Sequence, residues 1–249
     1  MFNVILHKIK AKFFNREKIF RYGKIFKSKD GMYNYETSLI IKRVLRNDSN
    51  AIDIGSHKGR FLNEFFEYAP DGNHFAFEPL PYLFETLVKK FPGNCKLYKL
   101  ALSNKKGSVI FNYIRDYPGF SGLKKRRYPL KKVKIDKIRV NTDLLDNIVP
   151  INTKIDFIKA DIEGAEYLAF QGGLKTIKKW KPVIVFEFGL GAADYYGITA
   201  EKMYTFLRVK CKLRLSTMER YLLKKKSFDK NTFERYFDSS IDYYFIAYK

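Results

Sequence analysis

The sequence predicts an α/β fold, and three observations carry the prediction. The chain has 249 residues of which 46% are apolar, enough to bury a real core in one domain with extensions and too many for a disordered chain. Ala51-Ile-Asp-Ile-Gly-Ser-His-Lys-Gly59 is a short apolar, β-branched run that ends in an acid and a glycine, with a second glycine four residues on. Arg60-Phe-Leu-Asn-Glu-Phe-Phe66 follows with helical apolar spacing, so the stretch reads strand, tight turn, helix. Ile155-Asp-Phe-Ile-Lys-Ala-Asp161-Ile-Glu163-Gly164-Ala-Glu166 repeats that grammar with carboxylates at the strand's end, and its helix is expected from about Ala165 to Gly172.

The remaining elements follow in order. Residues 1–30 interleave lysines and arginines with Phe13, Phe14, Phe20 and Phe26. Read as a helix, Ile5, Ile9, Phe13 and Phe20 make an apolar stripe, which suits either an anionic membrane surface or packing on the main domain. Asp30-Gly31 reads as a turn, and Tyr35–Arg46 as an amphipathic helix. Residues 1–46 are therefore assigned to a basic helical N-terminal extension, and 47–249 to the main domain. Phe75-Ala-Phe-Glu78 is a second buried strand. Pro81 suits the first turn of a helix whose buried side is Leu83, Leu87 and Val88. Lys96–Ser103 is expected to be a third strand, closed by Ala101-Leu102, and Ser108–Tyr113 another. Gly119–Gly122 reads as flexible. Lys124-Lys-Arg-Arg127 with Lys131, Lys132 and Lys134 is a charge run that suits either acceptor phosphates or solvent. Val183–Phe188 is a buried strand carrying Glu187, and an acid there needs a partner or a function. A helix from Thr199, strands at Lys212–Ser216 and Tyr243–Tyr248, and an exposed turn or short hairpin at Arg220–Lys230 complete the chain.

Several function classes are disfavoured. Cys95 and Cys211 make neither a disulfide framework nor a zinc site, which suits a reducing cytoplasm. No apolar run approaches the roughly 18 residues of a membrane span, and Met1–Leu6 is too short for a signal peptide. The net charge of +22 favours anionic neighbours: nucleic acid, anionic lipid or phosphate-bearing substrates. No aromatic recognition strand or GXXG clamp marks an RNA binder, so no specific nucleic-acid partner is expected.

The first turn lets backbone approach a ligand, because glycine lacks a Cβ, and the helix start offers unpaired N–H groups. The dinucleotide fingerprint needs G-x-G-x-x-G, whereas this chain has D-x-G-x-x-x-G. S-adenosylmethionine fits the spacing better, with its amino-acid end at the glycine loop and its ribose hydroxyls at Glu78.

The two blocks together resemble the FkbM family of S-adenosylmethionine-dependent methyltransferases. The residues that carry the resemblance are Asp53-Ile-Gly55-Ser-His-Lys-Gly59, Phe77-Glu78-Pro79, Ala101-Leu102-Ser103, Lys159-Ala-Asp161-Ile-Glu163-Gly164-Ala-Glu166 with Gly172-Gly173, and Phe186-Glu187. They span roughly residues 50–190, and the Asp-x-Glu-Gly-Ala-Glu block is their specific part. Two positions depart from the family pattern: the loop Ser56-His-Lys58 is more charged, and Ala160 stands for a larger apolar residue. The resemblance implies a class I methyltransferase, Rossmann-like: a seven-stranded, mostly parallel sheet with an antiparallel last strand and helices on both faces. It implies methyl transfer to a hydroxyl oxygen, with S-adenosylhomocysteine as product. Family acceptors are sugars of surface polysaccharides or nodulation signals, and macrolide hydroxyls.

On this reading Gly55 and Gly59 receive the methionine end and Asp53 fixes the loop and the ammonium. Glu78 holds the ribose, and Leu80, Ala101 and Leu102 line the adenine. Asp161, also at the cofactor, ranks first as the base, ahead of Glu187 and His57. Glu166 is expected to be structural. No metal is assigned, although Asp161 with Glu163 could hold a hard divalent cation. The expected partner is a sugar nucleotide or lipid-linked glycan, met in the cytoplasm or at the inner face of an anionic membrane. The alternatives are an RNA methyltransferase, favoured by charge, and a catalytically inert membrane module. Asp161-Ile-Glu163-Gly164 stands where base N-methylation sites often carry an Asn/Asp-Pro-Pro-aromatic block, and its acidity suits a polyol better than a phosphodiester.

Overall fold

A computed structural model describes residues 28–91, 93, 95–128 and 132–249. The basic stretch of residues 1–27, with its anticipated membrane-facing or packing helix, lies outside the described residues.

The first described element is helix α1 (Lys29–Val44), and it corrects the turn expected at Asp30-Gly31. The Ser28 hydroxyl accepts from Gly31 N, and Asp30 sits in the first turn where the helix dipole favours a carboxylate. Strand β1 (Ala51–Ile54) leads into α2 (Arg60–Tyr68), and β2 (His74–Phe77) into α3 (Pro81–Lys90). Pro81 opens α3 as expected and Leu83 and Leu87 are buried, but Val88 is exposed. The anticipated third strand is two: β3 (Cys95–Tyr98) and β4 (Ala101–Leu102). Next come β5 (Gly107–Ile114), a 3-10 turn at Pro118–Phe120, β6 (Ile135–Asp143) and the short α4 (Leu145–Ile148). Then follow β7 (Phe157–Ala160), α5 (Glu166–Gly172), α6 (Leu174–Trp180) and β8 (Val183–Glu187). Helix α7 (Ala200–Tyr204) continues as a π-turn over Thr205–Lys210. The chain closes through β9 (Arg214–Thr217), α8 (Met218–Leu222), α9 (Lys230–Asp238) and β10 (Tyr244–Tyr248).

Two of these elements flank the exposed turn expected at Arg220–Lys230, which runs over residues 223–229, and take up its ends. The Thr217 hydroxyl caps α8 and the Asp229 carboxylate caps α9. Phe233 and Phe237 then bury one face of α9, with Phe237 stacked 4.4 Å from the Phe188 ring.

The main sheet has seven strands in the order β3-β2-β1-β7-β8-β10-β9. All neighbours are parallel except β10, which runs antiparallel to β8 and β9. Its central strands are buried on both faces, which is why they read as continuous apolar runs rather than alternating ones. One face packs Ile52, Phe75, Ile158, Phe186 and Phe245 against α5, α7 and α9. The other packs Ala51, Phe157, Val185 and Ile246 against α1, α2 and α8. Ile40 and Ile41 of α1 are fully buried in this second cluster. The chain moves outward from β1 to β3 and inward again at β7, so the β1/β7 boundary is the switch point where open sheets place their ligands.

A second, three-stranded sheet of order β4-β6-β5 explains why the third strand splits. After Tyr98 the chain leaves the main sheet, and Ala101-Leu102 pair in parallel with Thr142-Asp143 of β6. Phe111 and Val140 of this small sheet pack on Leu80 and Leu83, so it walls one side of the cleft above the switch point. Among the described residues no helix is long and apolar enough to cross a membrane.

Candidate active site

Register builds the site. β1 and β7 pair with Asp53 opposite Lys159, β7 and β8 with Lys159 opposite Val185, and β8 and β10 with Glu187 opposite Tyr244. Alternation along each strand then points Asp53, Lys159, Glu187 and Tyr244 to the same face, near the carboxyl ends of the parallel strands.

Gly55 and Gly59 do different work. Gly55 has φ +80°, and a Cβ there would overlap the carbonyl oxygen of Asp161, so the β1 turn closes on the β7 turn only with glycine. Gly55 lines the cleft. Gly59 starts α2 at φ +70°, where a Cβ would lie 2.6 Å from the Phe91 ring and 2.8 Å from Leu87. It faces packed side chains and does not line the cleft. His57, at φ +48°, is half-buried and lines the cleft; burial, then Lys58 and Lys159, hold its imidazole below the ordinary range.

Glu78 lines the cleft at the end of β2. Its Oε2 accepts from His57 N at 2.9 Å and its Oε1 from Leu80 N at 3.0 Å. Burial pushes the carboxyl up to about 7 against the pull of those two N–H groups. Leu80, Ala101 and Leu102 line the opposite, apolar wall with Phe77 and Leu100.

Asp53 is placed beneath the cleft rather than in it. It is 1% exposed, and its Oδ1 lies 3.5 Å from Lys159 Nζ. That ammonium donates to Gly55 O at 3.0 Å and stands 3.7 Å from Asp161 Oδ2. A buried lysine thus ties the two turns together. Burial outweighs pairing on Asp53, whose carboxyl is pushed up to about 6. On Lys159 the neighbouring carboxylates outweigh burial and raise the ammonium.

Asp161 lines the cleft, its side chain 32% exposed, and its Oδ2 accepts from the Tyr244 phenol at 2.7 Å. Carboxylate oxygens of Asp161, Glu163 and Glu187 all lie within 4.8 Å of one another. Glu163 lines the cleft from φ +62° and forms an ion pair with Arg126. Glu187 does not line the cleft. Its Oε2 is fully buried without a donor, and burial with Glu163, Asp161 and Glu166 around it pushes its carboxyl well above the ordinary range. Glu166 caps the turn instead, its Oε1 accepting from Ile162 N at 2.8 Å and Gly164 N at 3.4 Å.

The cleft therefore gathers Gly55, His57, Glu78, Leu80, Ala101, Leu102, Asp161 and Glu163, and leaves Asp53, Gly59 and Glu187 behind its walls. Three residues at the site had no individual role in the sequence reading: Lys159, Tyr244, and Arg126, which appeared there only within the Lys124–Arg127 charge run. Lys159 was legible, since a lysine inside Phe157-Ile-Lys-Ala must find a carboxylate once buried. Arg126 and Tyr244 reach the site from distant segments, and nothing local marks them.

A cleft at the switch point with a glycine turn, an acid at the end of β2 and an apolar wall is the geometry of a nucleoside-bearing cofactor site. The chain aligns structurally with a methyltransferase FkbM from Methylobacillus flagellatus KT at TM-score 0.51 and 14% identity, covering 82% of this chain and 44% of that one. It spans less than half the length of that relative. A precorrin-6y C5,15-methyltransferase from Geobacter metallireducens GS-15 aligns at TM-score 0.41 and 15% identity, over 78% of this chain and 75% of that one. Aeropyrum pernix fibrillarin, solved with S-adenosyl-L-methionine, aligns at TM-score 0.43 and 10% identity, over 86% and 73%. No curated protein sequence matches the chain significantly. A family model of the methyltransferase FkbM domain matches residues 53–213, well over half the chain, and so the protein belongs to the FkbM methyltransferase family.

Proposed function

We propose that this FkbM-family methyltransferase acts on a hydroxyl oxygen of a sugar destined for a surface polysaccharide, capsule or lipopolysaccharide. The observation that carries the reading is the floor of the cleft, which Asp161 and Glu163 line with the Glu187 carboxylate within 4.8 Å of both. Carboxylates accept hydrogen bonds and take protons, which suits a polyol and repels the phosphodiester of a nucleic acid. Tyr117, next to the cleft-lining Pro118, is 49% exposed and offers a flat amphipathic face to a sugar ring.

The cleft fits S-adenosylmethionine. Gly55 leaves room at the turn, both Glu78 oxygens keep a lone pair beyond their backbone donors for ribose hydroxyls, and the Leu80, Ala101 and Leu102 wall suits adenine. When bound, that cofactor supplies a methyl group activated by a sulfonium. The chain does the rest. Asp161, fixed by Tyr244 and Lys159, takes the proton from the acceptor hydroxyl as the oxygen gains its new bond. Arg126 pulls the Glu163 carboxyl down, but burial outweighs it, and Glu163 and Glu187 both stand well above the ordinary carboxylate range.

Two predictions follow from single side chains. Glu78→Ala is expected to weaken S-adenosylmethionine binding by about 1–3 kcal/mol, the cost of a lost charged hydrogen-bond partner. Calorimetry measures it, and unchanged affinity removes Glu78 from the ribose. Arg126→Met removes the cation that pairs with Glu163 and lowers its carboxyl. That carboxyl then titrates at higher pH, so an acid limb of kcat/KM set by Glu163 should move up by about 1–2 pH units while the alkaline limb stays. An unmoved acid limb shows that this cluster does not set it.

The reading is tested by transferring label from methyl-labelled S-adenosylmethionine into cell extract, with and without nuclease. Label that survives nuclease and travels with sugar nucleotides or glycolipid is the expected result. Label released by nuclease overturns it in favour of RNA, the polyanion that the +22 charge would otherwise suggest.

A further inference from the structure

We infer that the acceptor is anionic: a sugar bearing a phosphate or diphosphate, whose charged group docks on Lys125 and Arg127 at the rim of the cleft while its hydroxyl meets the acidic floor. This rests on the sugar-hydroxyl reading above and names its substrate class.

The rim is a fixed strap. It leaves the Asn112–Gly122 bridge beside Glu163, where a Cβ on Gly122 would lie 3.4 Å from the Glu163 Cβ. Leu123 lines the cleft. Lys124 N donates to the Tyr196 phenol at 3.0 Å, and Lys124 Nζ to Tyr195 O at 3.2 Å. Arg126 turns inward to Glu163, and Arg127 N donates to Gly191 O at 3.1 Å. The Arg127 guanidinium lies over Gly191, so close that a Cβ there would be 3.2 Å from its Nε and Nη2. These contacts hold the backbone on both sides of Arg126 and leave Lys125 and Arg127 exposed. Among the described residues no carboxylate lies within ion-pairing distance of either.

Charge is therefore segregated within one site. Asp161, Glu163, Glu166 and Glu187 crowd the floor, with Arg126 and Lys159 among them. A few residues outward the sign reverses, with no carboxylate in ion-pairing distance of Lys125 or Arg127 among the described residues. A neutral sugar gains nothing from that rim, and a uniformly anionic polymer meets carboxyl oxygens rather than free cations at the floor. A molecule with a hydroxyl at one end and a phosphate at the other satisfies both and is oriented by the field before it docks. Arginine's planar fork suits phosphate bidentately, with lysine as a point charge beside it.

The charge-rich surface supplies its own control. Lys137 and Arg139 are equally exposed, on the face of β6 turned away from the Leu80–Phe111 cluster. Calorimetry on full-length protein loaded with S-adenosylhomocysteine would titrate inorganic pyrophosphate into wild type, Lys125→Ala/Arg127→Ala and Lys137→Ala/Arg139→Ala. We expect saturable binding to wild type, weakened roughly tenfold or more in the first variant and little changed in the second. Equal losses in both variants, or no binding to wild type, overturn the inference. Unchanged S-adenosylhomocysteine affinity checks that both variants are folded.

Two sources can present this chemistry, and displacement of pyrophosphate tells them apart. A uridine diphosphate sugar that displaces it points to a soluble acceptor. Phosphatidylcholine vesicles carrying a polyprenyl diphosphate sugar that do so, where plain vesicles do not, point to a lipid-linked one. Displacement by neither, or by single-stranded RNA at lower concentration than either, overturns the inference. A neutral sugar methylated equally by wild type and Lys125→Ala/Arg127→Ala removes the rim and leaves the sugar reading intact. Pyrophosphate bound at the rim, with label going to no sugar, does the reverse.

Discussion

Asp161→Asn is expected to lower turnover by about a hundredfold or more while leaving S-adenosylmethionine affinity within a few-fold of wild type. Asparagine keeps the shape of the side chain and can still accept from the Tyr244 phenol at the 2.7 Å site, so the turn need not move. It cannot take a proton. Glu187→Gln makes the contrast. Glu187 is held well above the ordinary carboxylate range by burial and by three neighbouring acids, so the neutral amide imitates the form those surroundings favour. Its turnover is expected to stay within about threefold of wild type, the small change of a swap that preserves charge state and volume. Single-turnover formation of S-adenosylhomocysteine with the labelled acceptor pool, beside calorimetry, separates chemistry from binding. Full turnover in an Asp161→Asn variant that binds cofactor normally removes Asp161 as the base, and a collapse in Glu187→Gln moves that role to Glu187.

What the sequence made legible was whatever one strand and the turn after it could encode. Asp53, Glu78, Asp161 and Glu187 are acids at the ends of apolar runs, and all four lie at strand ends around one cleft. Which of them faces the ligand was not legible. Asp53 and Glu78 look alike in sequence, yet register sets Asp53 against Lys159 and buries it, while Glu78 sits past the last residue of β2 and opens into the cleft. The two glycines of the loop look alike too, and only packing against Phe91 and Leu87 turns Gly59 away. The split of the third strand depends on pairing with β6, some forty residues on, and that long-range pairing outranks local propensity. Helix α9 was hidden because charged and polar residues outnumber Phe233 and Phe237, the two aromatics that anchor it. Arg126 came from a run of two lysines and two arginines in which nothing local sets it apart from Arg127; only the fold selects the one that turns inward.

The largest effect on stability is expected at Lys159, which touches no ligand in the proposed mechanism. Lys159→Met leaves the 1%-exposed Asp53 beside an apolar side chain, with its remaining electrostatic neighbour the like-charged Asp161. Breaking a buried pair on one side costs about 3–5 kcal/mol, because the surviving charge is stranded. For a chain of this size that is a drop in Tm of roughly 6–20 °C. The pair itself earns far less than its rupture costs, so Lys159→Met/Asp53→Leu should recover most of the loss. The pH dependence separates this account from simple loss of packing. The folded Asp53 carboxyl titrates at about 6, above its ordinary value, so between the two values the folded chain keeps a proton that the unfolded chain has released. Its contribution to stability is thus complete in acid and is lost as pH rises through 6. Without the ammonium the folded carboxyl titrates higher still, and the loss continues further into the neutral range. The deficit of Lys159→Met relative to wild type should therefore grow between pH 5 and pH 8 in denaturant titrations, and that growth should vanish when Asp53 is also leucine. A deficit that is flat with pH assigns Lys159 to packing through its alkyl stem, and leaves Asp53 indifferent to the cation beside it.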